Sequence, residues 1–563
     1  MTIKAIATKA GMANSTVASA EYTINNTYTL ANTIVSGKRY IITNGDVLAM
    51  GGQKTNNRDV TNVSLSENVV TVNSADVFEF VIIGPDVDTL YSIYDVTNSK
   101  YLYAASSSSN QLKTQLSINN NARWKISFDG GTGAASVVAS KSNNRNVMRF
   151  NSNLFSCYSD ASYDAVYLYA KDGEATTTFK KSITGYGSNP GGYYLIASPV
   201  GQVTPSTTNC FIATSAPEDY DLYYFDQSQP NGKWRNYKAN TFNLVSGLGY
   251  LYAHQTDTVL RFEGYPYIGS GDVPLAYPDY PEGLLFPGLN LIGNPLNTAA
   301  TLNKAFFKMN AEGNGFVAQT EGSGVALMEG VFVRATAQNQ TARFTATRGG
   351  QRNGIAKADI NVISSNGTII DNTIVRFDNG QTLEKFMLDE NGTKLYVPTN
   401  GKEYAIVNAQ AKGKLPVNFK AAENGSYTLS IETKNVDLNY LHLVDKLTGN
   451  DIDLLAGAST GSATSYTFEA KTGDNENRFR LVFSGSSTSS ETAEPFAYFN
   501  GSEWVIENDG EATLQVIDVM GRVIKSEVLS GNASTNTANL SAGVYVLRLV
   551  DSQKVKTQKI VVE

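Results

Sequence analysis

Apolar and polar residues alternate along most of this chain in runs of four to eight, the period of a strand with one face in a core. Tyr427-Thr428-Leu429-Ser430-Ile431, Leu441-His442-Leu443-Val444 and Arg478-Phe479-Arg480-Leu481-Val482-Phe483 are examples. Turns such as Glu390-Asn391-Gly392 and Glu423-Asn424-Gly425 separate them at sandwich spacing. With 563 residues the chain is too long for one core. The pattern predicts an all-β, multidomain protein: a β-trefoil-like domain followed by several β-sandwich modules of immunoglobulin-like or jelly-roll-like type.

Residues 25–172 carry a weak threefold pattern. Its copies are marked by Tyr40-Ile41-Ile42 with Phe78-Glu79-Phe80, by Tyr91-Ser92-Ile93-Tyr94 with Trp124-Lys125-Ile126, and by Val147-Met148-Arg149-Phe150 with Val166-Tyr167-Leu168-Tyr169. Repeats of this length with short strands suggest the trefoil. Residues 173–182 read as a polar linker. A duplication follows over 183–350, in copies of about 183–270 and 280–350. Gly192-Tyr193-Tyr194-Leu195-Ile196-Ala197-Ser198-Pro199 corresponds to Gly288-Leu289-Asn290-Leu291-Ile292-Gly293-Asn294-Pro295, and the run Leu244 to Ala253 corresponds to Ala326 to Ala335. Residues 351–485 form a further sandwich. Residues 486–493, rich in Ser and Thr, are a linker, and 494–563 make a last small sandwich.

In that last segment Asp518-Val519-Met520-Gly521-Arg522, Gly543-Val544-Tyr545-Val546-Leu547-Arg548 and the terminal Lys559-Ile560-Val561-Val562 occur in order. Together they resemble the C-terminal sorting domain of the type IX secretion system of Bacteroidetes. The resemblance implies a secreted or surface-attached protein, the secretion machinery as a partner, and Asp518, Gly521, Arg522, Gly543, Tyr545, Arg548 and Lys559 as the residues of the sorting signal. Many members open on a Pro-rich segment, for which only Glu494-Pro495 stands here. At the other end, Thr2-Ile3-Lys4-Ala5-Ile6-Ala7, Gly11-Met12 and Ala20-Glu21-Tyr22-Thr23-Ile24 resemble the last two strands of a chitobiase/β-hexosaminidase C-terminal-type sandwich. Residues 1–24 also lack the apolar core of a signal peptide. The expectation is the C-terminal piece of a longer protein, or a misassigned start.

Composition narrows the chemistry. A net charge of −7 over this length argues against nucleic-acid binding, and no run of about 18 apolar residues is present to span a membrane. Cys157 and Cys210 fall in different domains, which leaves no disulfide to expect and too few ligands for zinc. His254 and His442, the two histidines, sit in separate strands and are expected to face solvent, so nucleophilic triads lack material. No metal or cofactor motif is present, and none is expected to bind. Trp234, Tyr237, Tyr250 and Tyr252 are the candidate ligand-binding set: aromatic rings on a β face stack on sugars, and the same alternation also builds a core. Asn56-Asn57-Arg58 and Asn143-Asn144-Arg145 either face a sugar or close their own turns. The reading is a non-catalytic exported protein for adhesion or glycan binding. The alternative is the accessory half of a secreted hydrolase (glycosidase, peptidase or nuclease) whose catalytic domain lies upstream of Met1.

Overall fold

The computed structural model describes residues 2–562 apart from 7–10, 12–14, 22–24, 74–76, 87–88, 117, 141–142, 188–191, 214–218, 227–232, 279–280, 282–283, 285, 348–354, 411, 437, 456–462, 486–495, 500–503, 507, 509, 532, 536–539 and 552–554. The expected linker at 486–493 and the Glu494-Pro495 opening lie outside the described residues. The protein is all-β and multidomain. Helical structure among the described residues is limited to 3-10 turns, of which Asn120–Ala122 is one. The chain divides into two compact units, Met1–Ser484 and Gly485–Glu563. The first strands, Thr2–Ala5 and Ala18–Glu21, pair with each other in a separate two-stranded sheet.

In residues 25–172 six strands close on themselves. Arg39–Thr43 pairs with Phe80–Ile83, which pairs with Tyr91–Asp95, then Arg123–Phe128 and Ala135–Ala139. A bridge from Ala135 to Val166 leads on to Tyr167–Lys171, which returns to Arg39–Thr43. Three hairpins hang on this ring: Leu48–Gln53 with Arg58–Asn62, Lys100–Ala104 with Leu112–Gln115, and Val147–Asn151 with Leu154–Tyr158. Inside it, Ile42, Phe80, Ile93, Trp124, Val137 and Leu168 are wholly buried. Glu79 gathers the rim, accepting from Lys171 Nζ at 2.6 Å, Tyr28 Oη at 2.7 Å and Arg39 Nη1 at 3.0 Å.

The stretch expected as a linker is structural. Thr177–Ile183 pairs along its whole length with Thr258–Gly264, because Phe179 and Ile183 turn inward, with Lys181 half-buried between them, while Thr178, Lys180 and Ser182 face out. The duplicated module therefore takes up residues assigned to a linker by their polarity. Its two copies repeat one topology. Tyr194–Ala197, Gly249–His254, Tyr220–Phe225 and Trp234–Asn236 form one sheet in that order; Leu289–Gly293, Gly330–Arg334, Phe306–Met309 and Phe316–Gln319 form the other. Gly249 lies opposite Ala197 as Gly330 lies opposite Gly293, one residue off a position-by-position reading of the matched runs.

The copies meet around an approximate twofold axis. Ile196 bridges Glu329 and, reciprocally, Leu248 bridges Ile292. The Ala197 N–H donates to the Met328 carbonyl at 3.2 Å, and the Gly293 N–H to the Gly247 carbonyl at 3.0 Å. Each contact uses the same two positions with the copies exchanged, the mark of an isologous interface. A Cβ on Gly249 would lie 2.6 Å from the Ile292 carbonyl oxygen, and one on Gly293 would lie 2.4 Å from Ala197 Cβ. Glycine at these places is what lets the strands approach. The two copies share a core: Leu195 and Leu251 of the first pack with Leu289, Leu291, Phe307 and Phe332 of the second.

Residues 357–485 form the third module around Val362, Val375, Leu395, Leu429, Leu443 and Phe479. Its strand Ile369–Arg376 runs parallel to Lys402–Asn408 and is buried on both faces. One face carries Val375 into this core. The other carries Ile374 into the core of the duplicated module. The Asn372 amide fixes the junction, accepting the Ala318 N–H at 2.8 Å and donating to the Ala318 carbonyl at 3.1 Å.

Unit 485–563 packs a four-stranded sheet, ordered Val523–Ser530, Glu511–Asp518, Gly543–Asp551 and Val555–Val562, with a three-stranded one of Ala497–Phe499, Trp504–Ile506 and Ala533–Thr535. Leu514, Val516, Leu547, Leu549 and Ile560 alternate inward from the first sheet onto Phe496 and Ile506. The Gln558 amide clasps the Ala497 backbone, accepting its N–H at 2.9 Å and donating to its carbonyl at 2.6 Å.

Candidate functional site

The seven residues of the sorting motif lie on this four-stranded sheet and its turns. Asp518 ends one strand and caps the hairpin that follows. Its Oδ1 accepts the N–H groups of Met520 and Arg522, each at 2.9 Å, and its Oδ2 accepts Arg522 Nε at 2.8 Å. Gly521 supplies the positive φ of 80° that the turn requires. The Arg522 backbone and then its guanidinium hold the Asp518 carboxyl below the usual range. Tyr545 sits opposite Asp518 in the ladder and donates its hydroxyl to the Ser541 carbonyl at 2.8 Å, closing the turn that leads into Gly543. Arg548 donates to Gln515 Oε1 at 3.1 Å on the outer face, and Lys559 stands exposed beside it, paired with Val546. The turn projects Val519 and Met520, 80% and 75% exposed, at the sheet's end.

Three of the four aromatic candidates are corrected by burial. Tyr237, Tyr250 and Tyr252 are core residues of the first copy. Each hydroxyl is spent on backbone: Tyr250 takes the Val245 N–H at 2.9 Å, and Tyr252 donates to the Phe211 carbonyl at 3.3 Å. Trp234 is half-buried and meets Phe225 and Phe332 in T-shaped contacts at 5.1 and 5.9 Å. The strand carrying Tyr250 and Tyr252 is buried at every position because the second copy covers its other face; no alternation in the sequence announces that cover. His254, expected to face solvent, is buried at the end of this strand and bonded through Nδ1 to the Thr256 carbonyl at 2.9 Å. His442 binds Asp451 at 2.7 Å and stacks on Tyr440.

The two amide–arginine loops close their own module. Arg58 is wholly buried, 2.7 Å from Asp95, with its guanidinium against Phe78 and Phe80. Asn143 and Arg145 bond to the Ala104 carbonyl and to Asn110 across the neighbouring hairpin.

A concave site lies elsewhere. A cleft of about 760 Å³ opens where residues 25–172 meet both copies of the duplication. Its walls come from the Gly84–Asp86 bend, the Asn119–Arg123 turn, Tyr224, the Ser246–Leu248 turn, the Pro274–Pro278 segment and the Gln338–Gln340 loop. Every carboxylate on it is neutralised locally: Asp86 by Arg123, Asp226 by Arg235 at 3.1 Å and Asp272 by Arg343 at 2.6 Å. The Ser246 hydroxyl is buried in the wall without a hydrogen-bond partner. Tyr224 and Tyr277 contribute half-buried rings, and Asn120 and Asn339 contribute amides. A volume in the range of ligand clefts, apolar rings, scattered hydroxyls and amides and no unpaired charge suit a neutral, polyhydroxylated ligand. Nothing in the sequence marked it, since its walls are turns distant along the chain.

No curated protein matches this chain. Residues 502–563 match the family model of the secretion system C-terminal sorting domain. That span covers Asp518, Gly521, Arg522, Gly543, Tyr545, Arg548 and Lys559, the positions that form the stapled turn and its sheet. The protein is exported by type IX secretion to the cell surface or the extracellular space, and its tail engages that machinery.

Proposed function

We propose that the exported body is a non-catalytic binding protein that takes a neutral glycan in the cleft between residues 25–172 and the duplicated module, and that it serves adhesion or glycan capture. The observation that carries this reading is the charge-neutral wall of amides and tyrosine rings, with every carboxylate paired to an arginine. A ring of six strands carrying three hairpins supports reading residues 25–172 as a β-trefoil, a frame that leaves its loops free for binding. The full chain on an array of neutral and acidic oligosaccharides tests it. Binding confined to neutral glycans, weakened about tenfold by Asn120→Ala combined with Asn339→Ala, is the expected result, that factor being what losing one or two hydrogen bonds costs. Folded protein that binds no glycan, or binds equally well with both amides removed, rejects it.

A further inference from the structure

The third module holds a lysine and an aspartate in direct contact and out of water. Lys385 Nζ lies 2.5 Å from Asp371 Oδ1, and each side chain is 1% exposed. Asp371 stands on the doubly covered strand Ile369–Arg376, and Lys385 follows the short strand Leu383–Glu384 between Leu383 and Phe386 of the neighbouring core. Two acceptors meet Nζ: Asp371 Oδ1, and the Asn372 carbonyl at 2.9 Å. An ammonium has three N–H groups to place, and these two acceptors receive two of them. The other carboxyl oxygen, Oδ2, accepts the Leu395 N–H at 2.7 Å.

We propose that Lys385 and Asp371 condense with each other in the folded protein, joining Nζ to Cγ as an intramolecular amide. The pair first shares its proton so that amine faces carboxylic acid. Burial favours that state from both sides, since it pushes the Asp371 carboxyl up and the Lys385 ammonium down. The Nζ lone pair then attacks Cγ. Negative charge gathers on Oδ2, where the Leu395 N–H stands to receive it, as an oxyanion donor does. The Cγ–Oδ1 bond breaks, and Oδ1 leaves with its own proton and one from Nζ, as water. The remaining N–H keeps the Asn372 carbonyl as its acceptor. Nothing is oxidised or reduced, and no co-reactant is needed. Fixed contact supplies what two free solutes lack, and a dry interior disfavours the reverse hydrolysis. Keeping two charges at such a place costs their desolvation; an amide does not carry them.

Intact mass spectrometry of the denatured full-length chain tests this without any variant. The mass is expected to fall short of the sequence by one water, and proteolysis is expected to yield a branched peptide joining Lys385 to Asp371. Lys385→Arg should restore the full sequence mass. Asp371→Asn should condense with loss of ammonia instead and give the same product mass as the parent chain. A full sequence mass in the parent chain after prolonged incubation overturns the proposal. So does a missing water that maps to a succinimide at Asp129-Gly130, Asp172-Gly173 or Asp509-Gly510.

Discussion

The two copies of the duplicated module fold alike and are filled differently. The first packs Tyr220, Tyr237, Tyr250 and Tyr252 around Phe211 and Phe262; the second packs Val325, Val331, Val333 and Ala342 around Phe306 and Phe344. Tyr250 and Val331 hold the same place, opposite Ile196 and Ile292. One topology thus accepts both a polar-tipped core, whose hydroxyls bond to backbone groups, and an aliphatic one. The buried tyrosines of the first copy, Tyr220, Tyr237, Tyr250 and Tyr252, therefore report how its core is satisfied.

The contrast is sharpest at the twofold axis, where the first copy has Ala197 and the second Gly293, and the Ala197 methyl fills the space a Cβ on Gly293 would take. Gly293→Ala should cost about 3 kcal/mol, the scale of overpacking a tight core, read as a shift in the chemical denaturation midpoint. Adding Ala197→Gly should return part of that loss, because the Leu248 carbonyl remains 2.4 Å from the new Cβ. Strict additivity of the two changes would show that the methyls do not compete. Next in size is the residue before the shared proline. Asn294 donates to the carbonyls of Thr298 at 2.9 Å and Ala326 at 3.0 Å, whereas Ser198 donates only to Val200, at 2.8 Å. Asn294→Ala should lower stability by about 2 kcal/mol, and Ser198→Ala by about half of that; equal losses would remove the distinction. Tyr250→Phe leaves the Val245 N–H without its acceptor and should cost about 1 kcal/mol. The paired change Val331→Ile adds no polar debt and should stay within about 1 kcal/mol of the parent chain.

Much of the fold was legible because strands write their inner face into the sequence every second residue. The runs through Leu429, Leu443 and Leu481 became buried strands of one core, and the Asp518–Arg522 motif became a stapled hairpin turn. What stayed illegible depends on a second layer. Thr177–Ile183 looked like linker because Phe179 and Ile183 are the only apolar residues on its inward face, and the strand it joins lies some eighty residues on. Tyr250 and Tyr252 looked like a binding face because alternation cannot say whether the other side is covered by water or by a second copy. The cleft had no signature at all, since Ser246, Asn120 and Asn339 are ordinary turn residues brought together by the packing of residues 25–172 on the duplicated module. Asp371 and Lys385 were equally silent, as a charged pair reads as surface until its strand proves to be covered on both sides.

The reciprocal contacts of Ile196 with Glu329 and of Leu248 with Ile292 have a consequence for assembly. A chain bearing one such copy could hide its glycine seam only by finding another molecule, and would come apart on dilution. Tethering both halves in one polypeptide makes their union first-order, independent of how sparse the protein becomes once it has left the cell.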